Sequence, residues 1–136
     1  MDPIRIAAAL IDDGAGNMLL VRKHGSEIYI QAGGKIEQGE TPLDALRREL
    51  AEEIGLTLAI EPAYLGRFRA DAAHETSRVV EAELFHLTLT HTPVIAAEIA
   101  EARWVAIDGA AALTLAPMTR EHVLPIALAL QALPNA

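Results

Sequence analysis

Gly34-Lys35-Ile36-Glu37-Gln38-Gly39-Glu40-Thr41-Pro42-Leu43-Asp44-Ala45-Leu46-Arg47-Arg48-Glu49-Leu50-Ala51-Glu52-Glu53-Ile54-Gly55-Leu56 decides the fold. Thr41 is a good N-cap, Pro42 suits the first helical position and Asp44 completes a capping box, so the spacing predicts a helix that starts at Thr41 or Pro42. Gly55 supplies the left-handed cap at its other end. At about 100° of rotation per residue, Leu43, Leu46, Leu50 and Ile54 form one apolar stripe and Glu49, Glu52 and Glu53 share a neighbouring face. Like charges three and four apart repel, and no lysine on that face relieves them. Hard divalent cations are the usual remedy, because Mg²⁺ takes carboxylate oxygens and keeps positions open for water and phosphate. The competing reading is a plain solvated acidic face.

Upstream, Ala32-Gly33-Gly34-Lys35 reads as a glycine turn whose backbone a ligand can approach closely, since glycine has no Cβ. Together these residues resemble the Nudix box of the Nudix (MutT-like) hydrolases, with every specified position matched from Gly34 through Glu40 to Arg48-Glu49-Leu50 and Glu52-Glu53-Ile54-Gly55. The resemblance implies a Nudix-type α/β/α sandwich with a mixed β-sheet. It also implies that Glu49, Glu52 and Glu53 hold one or more divalent ions, Mg²⁺ or alternatively Mn²⁺, with help from the Gly33 carbonyl. Gly34, Glu40 and Arg48 would support the loop structurally, Arg48 pairing with Glu40, and Lys35 would face phosphate. One departure is Ala32, where the family commonly has proline; its absence loosens the loop but removes no ligand.

The rest of the chain is read as strands around this helix. Arg5 to Ile11 and Met18 to Arg22 flank a turn-rich Asp12 to Asn17, and Ile28 to Gln31 enters the glycine turn. Beyond Gly55 the chain is expected to extend through Leu56 to Ile60 and again from Ala63 to Arg69, with Pro62 between. Alternation marks Arg78 to Thr90 as a half-buried strand, after a polar loop from Asp71 to Ser77, and Arg103 to Ile107 as a short one. Thr119 to Leu133 is apolar at helical spacing, and Pro125 should kink it or mark its true first turn. The resulting order is β-β-β-α-β-β-β-α, an α/β class with residues 1–136 as a single domain.

A net charge of −8 and scattered basic residues argue against a nucleic-acid polymer as substrate, while a small polyphosphate remains open if cations supply local positive charge. The absence of cysteine removes disulfides and thiolate metal sites and fits a reducing cytoplasm. No apolar run reaches the ~20 residues of a membrane span. Homodimerisation through sheet edges is compatible with the sequence, which carries nothing that demonstrates it.

The chemistry implied is Mg²⁺-dependent hydrolysis of a phosphoanhydride bond in a nucleoside diphosphate linked to another moiety, catalysed mostly by positioning and charge. The compact chain favours a small (deoxy)nucleoside triphosphate giving monophosphate and pyrophosphate. The alternatives are ADP-ribose or another nucleotide sugar, or a catalytically silent nucleotide-binding regulatory domain. Glu52 or Glu98 would take the proton of the attacking water, Glu98 lying just before a tryptophan in a segment that resembles the family's second metal-binding region. Glu53 completes the catalytic carboxylates. Arg22 and Lys23, at a strand end, are candidates for phosphate contact. In the guanine-reading branch an asparagine precedes the last helix; this chain has Thr119 near that point.

Overall fold

A computed structural model describes residues 2–91 and 93–133. The elements in chain order are β1 (Ile4–Asp12), β2 (Asn17–Lys23), β3 (Tyr29–Ile30), β4 (Ala32–Lys35), α1 (Pro42–Ile54), β5 (Ala63–Asp71), β6 (Val79–Thr88), β7 (Ile99–Ala106) and α2 (Leu124–Gln131). The strands form one mixed sheet with the central path β3-β2-β1-β6-β5. β1 runs parallel to β6 from Ile4↔Val80 to Asp12↔Thr88 and antiparallel to β4, while β7 pairs antiparallel with β2.

β1 explains why the sheet has a helix on each face. Ala7 to Ile11 are all buried, so the strand reads as a continuous apolar run instead of an alternating one. Ala7, Ala9 and Ile11 pack with Leu46, Leu50 and Ile54 of α1, and Ala8 and Leu10 pack with Met118, Val123 and Ala127 on the other side. Successive side chains point to opposite faces, and each face needs its own apolar cover. The result is the expected α/β/α sandwich with a mixed sheet.

α1 spans Pro42–Ile54 and has the capping box of Thr41 and Asp44, with Gly55 left-handed at φ 63°. Three expectations are corrected. The glycine segment is a strand and not a turn: glycine lets β4 lie close against β1, with Gly33 opposite Ala8 and Gly34 opposite Ala7. Leu56 to Ile60 forms no strand, because Leu56 and Leu58 fold back onto the α1 core while Ile60 is left exposed. β7 begins at Ile99, four residues before the predicted Arg103, so Glu101 sits within a strand.

The last helical segment is already helical at Pro117 and Met118 and passes through a π turn over Thr119–Val123 before α2. Pro125 has no N–H to give and would crowd the carbonyl one turn back; a widened turn just before it relieves both problems. Pro125 therefore lies in the first turn of the regular α stretch, inside a segment that is helical from Pro117, and the π turn before it is the irregularity that the proline brings.

Candidate active site

Arg48 organises the loop that leads into α1. Its Nε donates to Glu40 Oε2 at 2.8 Å and its Nη2 to Glu40 Oε1 at 2.9 Å, a two-pronged pairing that suits a guanidinium fork. The same Nη2 reaches the Lys35 carbonyl at 3.0 Å, and Nη1 donates to Glu49 Oε1 at 2.8 Å. One side chain thereby links the end of β4, the loop and the helix. The Arg48 hydrogen bonds, with a further one from the Glu37 N–H, hold the Glu40 carboxyl down at about 2. Arg48 is held up in turn by Glu40 and Glu49.

The sign of the Glu40 effect follows from linkage. Its folded value lies below the ordinary 4.5, so the stabilisation is present above 4.5 and is lost as pH falls toward 2. Glu40→Gln is expected to unfold at lower urea than the parent at pH 7, with the gap closing near pH 2. Urea melts across that range measure it, and a gap that persists at pH 2 would contradict the pairing.

Glu49 and Glu53 reach the space beside β4. A Cβ on Gly34 would stand 2.3 Å from Glu49 Cδ, so any larger residue there would displace that carboxylate from where it stands. Glu53 is 6 % exposed, and its Oε1 accepts the Gly33 N–H at 3.3 Å. Burial pushes its carboxyl up to about 7; the Gly33 hydrogen bond opposes this, and the negative charges of Glu49 and Glu98 add to it. Such an acid is short of positive charge.

The loop before β7 is fastened to the same helix end. Val94 N–H donates to the Ile54 carbonyl and Ala96 N–H to the Glu53 carbonyl, satisfying groups that the last turn of a helix leaves open. Ala97 takes a left-handed φ of 55°, and Glu98 follows with its carboxylate 3.8 Å from Lys23 Nζ.

A cleft of about 430 Å³ brings Gly33, Gly34, Lys35, Glu49, Glu53 and Glu98 together, with Lys23 on its wall. Two other candidates lie outside its lining. Arg22 is engaged by Glu101 at 3.2 Å and by the Ser26 carbonyl at 2.9 Å, so its guanidinium serves the β2–β7 pairing. Glu52 is 56 % exposed and 3.7 Å from Arg48 Nη1. Beyond the acids the cleft has an apolar arm formed by Ile4, Ile6, Val80, Ala116 and Met118, with Gln31 at its wall. The sequence reading missed this arm because its residues come from separate segments; the one local signal was a glutamine closing the apolar run Ile28 to Gln31.

Among the described residues no three acidic or histidine side chains lie close enough together to enclose a metal ion. The donor chemistry nevertheless fits a hard divalent cation: oxygen ligands only, from Glu49, Glu53 and Glu98, around a buried carboxyl with like charges beside it. No described helix is long and apolar enough to cross a membrane.

The CTP pyrophosphohydrolase of Escherichia coli is 31 % identical over 121 residues, covering 86 % of each chain. The 8-oxo-dGTP diphosphatase of Haemophilus influenzae is 37 % identical over 70 residues, a stretch that spans 48 % of this chain and 51 % of that protein. The solution structure of the E. coli ORF135 protein matches with a TM-score of 0.73 at 29 % identity, covering 97 % of this chain and 93 % of that one. The crystal structure of a MutT protein from Methanosarcina mazei Go1, at 23 % identity, shares the fold with a TM-score of 0.77 over 97 % of this chain and 98 % of that one. Hydrolases of this family use divalent metal ions. The NUDIX domain profile matches residues 2–125, and with the glycine strand, the acidic helix and the mixed sheet in place, the chain belongs to the Nudix family of hydrolases.

Proposed function

We propose that this chain, acting as a single catalytic domain, hydrolyses a small nucleoside triphosphate to the monophosphate and pyrophosphate with Mg²⁺. One observation carries the reading: a single cleft has a carboxylate wall of Glu49, Glu53 and Glu98, two lysines beside it, and an apolar arm fit for a base. The relatives named for 8-oxo-dGTP and CTP act on substrates of that size and charge.

Glu49 and Glu53 would hold the metal together with the Gly33 backbone, Glu52 standing at the outer edge of the same helix face. When bound, the divalent ion polarises phosphate oxygens and makes water acidic enough to attack near neutral pH. Lys35 and Lys23 neutralise the polyphosphate and orient it in the cleft. Glu98 takes the proton from the attacking water as its oxygen bonds to phosphorus, and the bridging oxygen departs with pyrophosphate. Glu98 suits this task better than Glu52 because it lines the cleft.

The test is a panel of CTP, dGTP, 8-oxo-dGTP and ADP-ribose assayed with Mg²⁺, with Mn²⁺ and with chelator. Pyrophosphate is expected from the triphosphates and nothing after chelation. Glu98→Gln should lower kcat by roughly 10²- to 10³-fold with KM nearly unchanged, as removal of a general base does. Orthophosphate as the sole product, or preferential turnover of ADP-ribose, would overturn the reading.

A further inference from the structure

Gln31 is 6 % exposed and Thr119 fully buried, yet both are polar and they meet each other. The Thr119 hydroxyl donates to Gln31 Oε1 at 2.6 Å, across the gap between β3 and the π turn. That contact sets which way the amide faces. A hydroxyl needs an acceptor for its proton, and among the described residues Gln31 is the partner it has, so the carbonyl turns to Thr119 and Nε2 turns away. Gln31 also lines the cleft, where it accompanies the apolar Ile6, Val80, Ala116 and Met118. Its amide nitrogen has no hydrogen-bond partner among the described residues, and it is not among the fully enclosed atoms that lack one. It is a donor facing the cavity.

The surroundings fix what that donor can recognise. The apolar arm suits a flat ring, and Gln31 stands two residues before Gly33, about 7 Å along extended backbone, which is the scale of a sugar between a base and its phosphate. With its carbonyl turned to Thr119, the part of the amide that faces the cleft is the nitrogen, which donates. Cytosine offers two neighbouring acceptors, O2 and N3, and guanine offers O6 and N7. Adenine sets an amino donor beside its N1 or N7, which the outward-facing amide nitrogen repels, and in uracil the two carbonyls are separated by N3–H. A buried donor left unpaired against the wrong base is what makes such a site selective.

We propose that Gln31, locked by Thr119, is the specificity-determining residue of the cleft and selects a nucleobase with two adjacent acceptors, cytosine or guanine, over adenine. This rests on the nucleotide reading of the cleft, and the experiment separates the two. Binding of CMP, GMP, AMP and UMP is measured by calorimetry for the parent, Gln31→Met and Thr119→Val, with melting curves to establish folding, and turnover of the four triphosphates is followed in parallel. The parent should bind CMP and GMP at least tenfold tighter than AMP or UMP. Gln31→Met should bring all four within about threefold by weakening CMP and GMP. Thr119→Val, which frees the amide to turn, should narrow the gap by strengthening AMP; if that variant fails to fold, Gln31→Met alone decides. Equal binding of AMP by the parent, or an undiminished preference in Gln31→Met, overturns the proposal. Intact CMP and GMP preference without turnover sinks the hydrolase reading and leaves this one standing, whereas binding of none of the four sinks both.

Discussion

Glu53→Gln is expected to lower kcat by about 10³-fold with saturating Mg²⁺ and at the same time to raise the melting temperature of the metal-free protein at pH 8. The first effect follows from the role proposed for Glu53 as a charged oxygen ligand: several kcal/mol of charge stabilisation would be lost, and about 4 kcal/mol corresponds to a factor near 10³. The second follows from burial. The Glu53 carboxyl stands at about 7 in the fold against 4.5 when free, so folding and ionisation compete. Below 4.5 the acid is protonated in both states and costs nothing; the cost grows between 4.5 and 7 and is complete above 7. At 1.36 kcal/mol per pKa unit it is on the order of 3 kcal/mol, which glutamine avoids while its carbonyl still accepts the Gly33 N–H. Melts at pH 4 and pH 8 should show no gain at the lower pH and a clear one at the higher. A Glu53→Gln protein that is inactive yet no more stable at pH 8 would refute the burial account, and one with kcat within tenfold of the parent would refute the role.

Gly33→Ala is expected to destabilise the fold by roughly 4 kcal/mol, the range of a backbone clash added to a strained φ. Gly33 has φ 141°, and a Cβ there would stand 2.2 Å from the Ala7 carbonyl oxygen and 2.8 Å from the Ala8 Cα. Neither neighbour can yield, because both belong to the buried central strand. Gly39→Ala is the control: its φ is also positive, at 86°, but nothing lies within 4 Å of the added carbon, so about 1 kcal/mol is expected. Urea denaturation of the two variants distinguishes a packing requirement from a purely conformational one. Similar losses for both would mean that β4 can move away from β1.

The helix was legible because its signals are local. Thr41, Pro42, Asp44 and Gly55 act within their own turns, and the stripe Leu46, Leu50, Ile54 needs only a period. The β4 strand was not legible, since two adjacent glycines look like a turn until β1 is known to lie alongside them. Arg22 and Lys23 are neighbours in the sequence and looked equivalent, but a pleated strand sends them to different partners, Glu101 and Glu98. Glu98 was identifiable only through resemblance; its docking beside Glu53 depends on Val94 and Ala96 capping the helix, a contact between distant segments. The apolar arm of the cleft was hidden for the same reason.

The parallel pairing of β1 with β6 has a consequence for how the protein is made. Ile4 to Asp12 are made before the partner they need, Val80 to Thr88, which is translated only after the entire acidic helix. Until then the nascent chain carries an unpaired oily strand and a cluster of glutamates with no floor beneath them. Closing so long a loop is slow, and an exposed strand edge invites association with other chains. Assembly of the sheet under the acidic helix therefore waits on a segment that is translated after it.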